Sequence, residues 1–373
     1  MKRKILNVRY KKEHVGTLVM ADEYRAAFQY TNEWIKNGFS ISPFLLPLNE
    51  KLYMGSEKQF FDGLHGVFSD SLPDGWGKLL VDRVLRKNGI NPIGLNPVDR
   101  LAVVGESGMG ALTYEPEFVV IDQNQEMTLD VLAEECRKVL YDEETDSLDA
   151  LFLKGGSSGG ARPKALLDID GEAWIVKFPN REDSANIGKQ EYDYSLCARE
   201  CNVDMTETRL FSSNIYKTGI FGTKRFDRMR NERIHMVSVC GLLETSHRIP
   251  SLDYNDLMKI NYYLTRDNEE QIRLFRYMCF NVFAHNRDDH SKNFSYLYDA
   301  ETGKWHLAPA YDLTYSNSIN GWHATTVNGN GENPTLTDIL EVAQLAGINK
   351  NIAKNIAEEI RRKVSDFLGE YLI

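Results

Sequence analysis

The stretch HNRDDHSKNF, His285–Phe294, is the densest polar run in the chain, and its reading decides the fold. Upstream, IRLFRYMCFNVF (Ile272–Phe283) reads as a buried helix. Downstream, SYLYD (Ser295–Asp299) reads as a strand. Two aspartates, two histidines, a lysine and two asparagines thus stand between two core elements. Asp288 and Asn293 are five apart, with Arg287 just before the aspartate. A phosphotransferase catalytic loop has this spacing: the aspartate accepts the proton of the substrate hydroxyl and the asparagine holds a metal ion. Carboxylate and amide oxygens suit Mg2+, a hard cation. Asp289 adjoins Asp288, so the choice of Asp288 as base rests on its spacing to Asn293.

Working outward, NFSYLYD (Asn293–Asp299) and WHLAPAYD (Trp305–Asp312) are joined by a turn containing Gly303. Paired as a hairpin, the start of the first lies beside the end of the second. Asn293 sits at that start and Asp312 just past that end, so two oxygen ligands distant in sequence converge at one edge. Mg2+ is held by one or two such groups plus phosphate oxygens. The competing reading has Asp312 cap the turn into LTYSNS, a common task for Asp.

Further upstream, GGSSGGARPK (Gly155–Lys164) reads as a glycine- and serine-rich turn between two strands. Its small residues, among them Ser158, Gly159 and Gly160, let backbone N–H groups approach phosphates closely. Pro163 precedes Lys164 and no G-K-[ST] occurs, so this is not a Walker A loop. Lys164 can still reach a phosphate as a point charge; a solvated flexible turn is the alternative. Lys177 lies in the apolar strand AWIVKFP, and a lysine is rarely buried unless paired. Glu191, on the next helix, is available as its partner, the strand-lysine and helix-glutamate arrangement that kinases use. The alternative is an edge-strand lysine with its head in water. The basic run GTKRFDRMRNER (Gly222–Arg233) reads as the start of an inter-lobe hinge with a solvated face rather than as a nucleic-acid patch. His285, His290, His306 and His323 lack the spacing of a zinc motif, and His290 is expected to order the catalytic loop by hydrogen bonding.

The 373-residue chain has room for about two domains and a sizeable core. Its net charge of −10 argues against a generally basic nucleic-acid binder. No apolar run is long enough to span a membrane, and charges interrupt the basic start before a signal sequence forms. Five cysteines without a C-x-x-C pair read as reduced, which suggests a cytoplasmic location. KILNVRY and HVGTLVM read as paired strands. DGWGKLLVDRVLRKNG reads as a helix capped by Asp74, RLAVVGESGMGALTYEP as strand–turn–strand, and TLDVLAEECRKVLYDEE as a helix capped at Thr128. A β-rich half followed by an α-rich half gives an α+β, two-lobed, protein-kinase-like fold. Its expected parts are an N-terminal subdomain over 1–117, a β-rich lobe over 118–226 and a helical lobe over 227–373.

These residues resemble the HipA family of bacterial serine/threonine kinases, toxins of type II toxin–antitoxin modules. The resemblance covers nearly the whole chain: FSDSLPDGWGKLLVDRVL near the start, then SSGGARPKALL, VKFP, QEYDYSLCAREC and RFDR, and finally NRDDHSKNFSYLYD with LAPAYDLTYS. It implies Asp288 as catalytic base, Asn293 and Asp312 as Mg2+ ligands, and Lys164 and Lys177 on ATP phosphates. It also implies Lys224, Arg225 and Phe226 as the segment facing adenine. Ser157 matches the family's autophosphorylated serine, with Ser158 a near competitor. The family's known substrates are aminoacyl-tRNA synthetases, and nothing in this sequence selects one. The family's usual partner is a small DNA-binding antitoxin of HipB type, through which any contact with DNA would pass. Arg162 and Pro163 depart from the residues other members often carry in the phosphate loop. A kinase of the same fold acting on a small molecule or lipid, or a non-catalytic nucleotide-binding co-repressor, are the alternative functions. The intact set Lys177, Asp288, Asn293 and Asp312 argues against the second, because a binding module needs no base.

Overall fold

The computed structural model describes residues 5–118, 127–156, 159–230 and 232–372. The chain folds as two compact units. The first gathers Met1–Gly188, Arg209–Val237 and Gly241–Glu244; the second gathers Lys189–Thr208, Ser238–Cys240 and Thr245–Ile373.

The first unit is built on two sheets. In one, Ile5–Tyr10 and Glu13–Met20 pair antiparallel as the alternation of apolar residues predicts, with Leu6, Val8 and Tyr10 facing the core. Ala26–Tyr30 and Tyr53–Met54 extend that sheet on one side and Leu112–Glu115 on the other. The other sheet runs Lys164–Ile169, Glu172–Lys177, Ile220–Lys224, Thr208–Phe211. Asp170 and Gly171 turn its first hairpin, both at positive φ (58° and 76°), as a two-residue Asp-Gly loop requires.

Helices pack against the second sheet. Leu129–Leu140 starts where Thr128 accepts the Val131 N–H at 3.3 Å. Trp76, Leu80 and Val84 from Gly75–Lys87 share one core with Leu132, Cys136, Leu151, Ala165, Val176 and Ile220. The early segment and the second sheet are therefore joined by common packing.

Two elements differ from the sequence reading. RLAVV is the end of a helix, Pro97–Val104, followed by a turn and then a strand. Asn96 caps it, accepting the Asp99 N–H at 2.9 Å, and Pro97 opens it with its fixed φ. Val98, Leu101 and Ala102 then recur at helical spacing and are buried. Likewise LKGG ends a helix, Leu148–Gly155, whose Leu148 and Leu151 are buried one turn apart. The glycine-rich turn is thus entered from a helix, and only its exit, Lys164–Ile169, is a strand.

The second unit is mainly helical. Tyr254–Thr265, Asn268–Phe283, Leu336–Leu345 and Lys350–Leu368 are its long helices, capped by Asp253, Asp267, Thr335 and Asn349. The hairpin Ser295–Asp299 and Lys304–Leu307 forms in the expected register, Tyr296 opposite Leu307 and Asp299 opposite Lys304. Buried Glu270 on Asn268–Phe283 holds its far strand: Oε2 accepts the Leu307 N–H at 3.2 Å, while Arg273 balances the charge at 2.7 Å. All five cysteines are buried thiols. Among the described residues no helix is long and apolar enough to cross a membrane.

Candidate active site

The first unit carries the phosphate-loop candidates. Lys164 opens the strand after the glycine-rich turn, and Lys177 ends the next strand; the two are direct partners in the antiparallel register. Both are buried. The Lys164 ammonium donates to the Gly159 carbonyl at 2.5 Å, closing the turn on itself. The Lys177 ammonium lies 5.6 Å from the centre of the Phe221 ring, a cation–π distance. Gly160 has φ +88°, a conformation that favours glycine. Ser157 and Ser158 lie outside the described residues.

The turn is also gripped from the start of helix Gly75–Lys87. The Asp74 carboxylate accepts the Gly160 N–H, and the Trp76 N–H donates to the Gly160 carbonyl at 3.0 Å. A Cβ on Gly75 would stand 2.4 Å from that carbonyl, so the approach needs glycine there. Asp74 occupies the cap position read from sequence, but its side chain makes no cap hydrogen bond to its own helix. Arg162 has a defined task as well. Its guanidinium makes a two-pronged pair with Asp183, at 2.9 and 3.1 Å, and Asp183 also accepts the Asn180 N–H at 2.8 Å.

The basic run 222–233 is not a solvated face. Arg225 is buried and pairs through Nε and Nη2 with Asp227, each at 2.8 Å. Asp227 also accepts from Arg228 and from the Gly110 N–H. Arg228 and Arg233 donate to the carbonyls of Gly108 and Gly110, so the run clamps the turn before Leu112–Glu115. Burial raises the Asp227 pKa, but the guanidiniums of Arg225 and Arg228 with the Gly110 N–H outweigh it and bring it to about 2. Lys224 pairs with Glu172 at 2.8 Å. The charged heads of Lys224 and Arg225 are therefore committed to carboxylates, which leaves a nucleotide base the backbone of this segment and half-buried Phe226.

The second unit carries the loops read as catalytic and metal-binding. Asp288 is exposed, whereas Asp289 is completely buried. The Asp289 Oδ2 accepts from the Tyr254 hydroxyl at 2.9 Å and lies 3.0 Å from His323 Nδ1; its Oδ1 accepts the Thr325 N–H at 3.1 Å. That carboxylate is fully engaged in structure, so of the two adjacent aspartates only Asp288 faces outward. The ordering task read for His290 is misplaced. Its Nδ1 is buried without a hydrogen-bond partner among the described residues, and its ring rests edge-on to His247 at 5.6 Å. Asp289 does that work instead, since an acceptor-only carboxylate can bind three donors at once.

Asn293 donates its amide nitrogen to the Asp288 carbonyl at 2.7 Å, which turns its amide oxygen to the other side for a cation. Asp312 is exposed and sits at φ +54°, left-handed backbone that non-glycine residues seldom adopt and that clusters at functional sites. The Tyr277 hydroxyl lies 3.1 Å from the Asn293 carbonyl and 3.4 Å from the Tyr311 carbonyl, so it ties the two metal loops together. The Tyr311 hydroxyl meets Ser295 Oγ at 2.6 Å and donates to the Lys292 carbonyl at 2.5 Å. The backbone at Asn293 and that at Tyr311, next to Asp312, thus come together on the helix Asn268–Phe283. Glu270, Tyr277 and Asn281 recur at seven and four residues, one helix face, and serve the hairpin, the metal loops and the catalytic loop in turn. The amide oxygen of buried Asn293 and the carboxylate of exposed Asp312 are the oxygen donors that suit a hard cation completing its shell with phosphate and water.

Glu191, on Ile187–Glu200, is buried and belongs to the second unit. Sequence reading passes over Tyr254, Tyr277, Asn281 and Tyr311, and weighs His323 only as a metal ligand. Only the four-residue spacing of Tyr277 and Asn281 within the apolar end of their helix could have marked two of them.

The sequence matches the HipA N-terminal domain over residues 6–115 and the HipA-like C-terminal domain over 156–367. The chain belongs to the HipA family. Its fold resembles that of HipA from the Shewanella oneidensis toxin–antitoxin system, solved with HipB and operator DNA. The TM-score is 0.72 at 19% identity, over 98% of this chain and 90% of that one. A weaker likeness, TM-score 0.38 at 16% identity, covers 55% of this chain and 90% of the Helicobacter pylori proinflammatory kinase CtkA. No curated protein sequence matches the chain. The fold is kinase-like and two-lobed, β-rich in one unit and helical in the other.

Proposed function

We propose that this chain is an ATP- and Mg2+-dependent kinase that phosphorylates serine or threonine hydroxyls of a protein, as the toxin of a toxin–antitoxin pair. The observation that carries the reading is the joining of the Asn293 and Asp312 loops by the Tyr277 hydroxyl, beside an outward-facing Asp288. Asp288 accepts the proton of the attacking hydroxyl. Asn293 and Asp312 hold Mg2+, which when bound neutralises charge on the phosphates. Lys164 and Lys177 bind phosphate oxygens, with Glu191 as the ion-pair partner of Lys177, and Ser158, Gly159 and Gly160 contribute backbone around them. Positioning and charge neutralisation supply the rate, since phosphoryl transfer asks for little covalent chemistry from the protein.

The partner follows the same line. The similar Shewanella protein was solved with HipB and operator DNA, and a small DNA-binding antitoxin of that type is the proposed partner here. An aminoacyl-tRNA synthetase is the substrate class the family suggests.

The test is intact mass spectrometry after incubation with Mg2+-ATP, wild type beside Asp288→Ala. One added phosphate in the wild type only, mapped to Ser157 or Ser158, supports the reading. A wild type that labels neither itself nor any protein serine or threonine overturns it.

A further inference from the structure

We infer that Asp289 is a positioning residue that fastens the segment His323–Thr325 to the catalytic loop, so that this segment sets the placement of Asp288. The inference rests on the kinase reading for its kinetic consequence only.

Every bond of the fastening lies in the second unit. The Asp289 carboxylate accepts from Thr325 N–H and Tyr254 hydroxyl and meets His323 Nδ1. The Thr325 hydroxyl donates to the Asp289 carbonyl at 2.5 Å, and the Ala324 N–H donates to the Arg287 carbonyl at 2.9 Å. Three consecutive residues of one segment thus bond to the residues on both sides of Asp288. From behind, Asn281 donates to the Tyr254 hydroxyl and receives the Asn286 amide, both at 2.9 Å. Asp289, Asn281 and Thr325 are wholly buried, and Asn286 and His323 nearly so.

A buried carboxylate is costly unless fully hydrogen-bonded, and this one is satisfied only while the segment is docked. The segment is itself anchored: Thr325–Thr326 pairs in parallel with Leu252–Asp253, and Thr326 Oγ1 donates to Asp253 Oδ2 at 2.5 Å. Docking therefore fixes the backbone of Asp288 from its own carbonyl, held by Asn293, through to Asp289. Where many kinases order the segment after the metal aspartate by phosphorylation, a buried carboxylate does so here without modification. The half-buried Arg287 guanidinium meets Asn317 Oδ1 at 3.5 Å.

The experiment compares wild type with Asp289→Asn, Thr325→Val and Thr325→Ser. It reads amide hydrogen exchange over 286–294 and 323–326, alongside steady-state phosphoryl transfer. Thr325→Val keeps the N–H and loses the hydroxyl, so it serves even if Asp289→Asn fails to fold. The expected result is faster exchange in both segments for Thr325→Val, with kcat lowered roughly tenfold to a hundredfold. The ATP KM should hold within about threefold, and Thr325→Ser should restore exchange and rate. Faster exchange confined to 323–326, or an unchanged kcat, overturns the inference. If the wild type transfers no phosphate, the kinase reading fails. The exchange arm then decides alone: coupled opening sustains the fastening, and independent opening refutes it.

Discussion

Lys164 and Lys177 face each other directly across adjacent antiparallel strands, both more than nine-tenths buried. Like charges placed opposite one another destabilise a sheet. In the kinase reading phosphate is the anion that both ammoniums meet. Lys164→Met and Lys177→Met should each weaken Mg2+-ATP binding by roughly tenfold or more, the worth of one charged hydrogen bond. Isothermal titration measures this directly. Unchanged affinity in both variants would remove the phosphate role from the strand pair.

Asp74 places a carboxylate on the N–H of Gly160, within the turn to which the proposed function assigns phosphate. The two anions compete for one donor and repel. Asp74→Asn keeps an acceptor for that N–H and removes the charge. It should tighten Mg2+-ATP binding by roughly threefold, the scale of a solvent-screened charge interaction. Weaker binding would mean that the carboxylate serves to hold the turn open for nucleotide.

Much of this arrangement was legible from residue order, and the reason differs by element. The hairpin and the meeting of the backbone at Asn293 with that at Tyr311 follow from strand geometry, which acts over a few residues and leaves a period-two pattern. Helices Pro97–Val104 and Leu148–Gly155 were misread because short apolar runs do not separate strand from buried helix. Reading 222–233 as a solvated face failed because charge alone does not tell an exposed patch from a buried clamp. Asp227 stands within the run, but the carbonyls of Gly108 and Gly110 that complete the clamp are backbone groups far away in sequence. Giving the loop-ordering task to His290 fails for a similar reason. The donors that saturate Asp289 come from Tyr254, His323 and Thr325, each more than thirty residues away.

Tyr277 offers a test of the metal loops that leaves their ligands intact. Its hydroxyl is the link between the Asn293 and Tyr311 carbonyls. Tyr277→Phe removes the link and leaves two carbonyls without that donor, at a cost of about 1–3 kcal/mol. The fold should survive, since the ring is kept. The Mg2+ concentration for half-maximal phosphoryl transfer should rise roughly tenfold, as for other residues that orient metal ligands. Metal titration at saturating ATP checks this; an unchanged Mg2+ requirement would show that the loops hold their spacing without the phenol.

His65 and His235 make the first unit sensitive to mild acid. Burial lowers the pKa of each to about 4, against about 6.5 in an unfolded chain. The unfolded chain therefore takes up protons first as pH falls, so these residues' contribution is complete above about pH 6.5 and declines until about pH 4. Each shift corresponds to roughly 3 kcal/mol. Between pH 6.5 and 4.5 most carboxylates stay ionised, so the histidines dominate the slope. His235 Nε2 lies 2.9 Å from the Ile41 carbonyl, and a glutamine there can keep that donor without titrating. Urea unfolding midpoints should fall steadily from pH 6.5 to 4.5 in the wild type and about half as steeply in His235→Gln, because one of two equivalent protons no longer binds on unfolding. An equal slope in the two proteins would show that His235 does not carry the acid sensitivity.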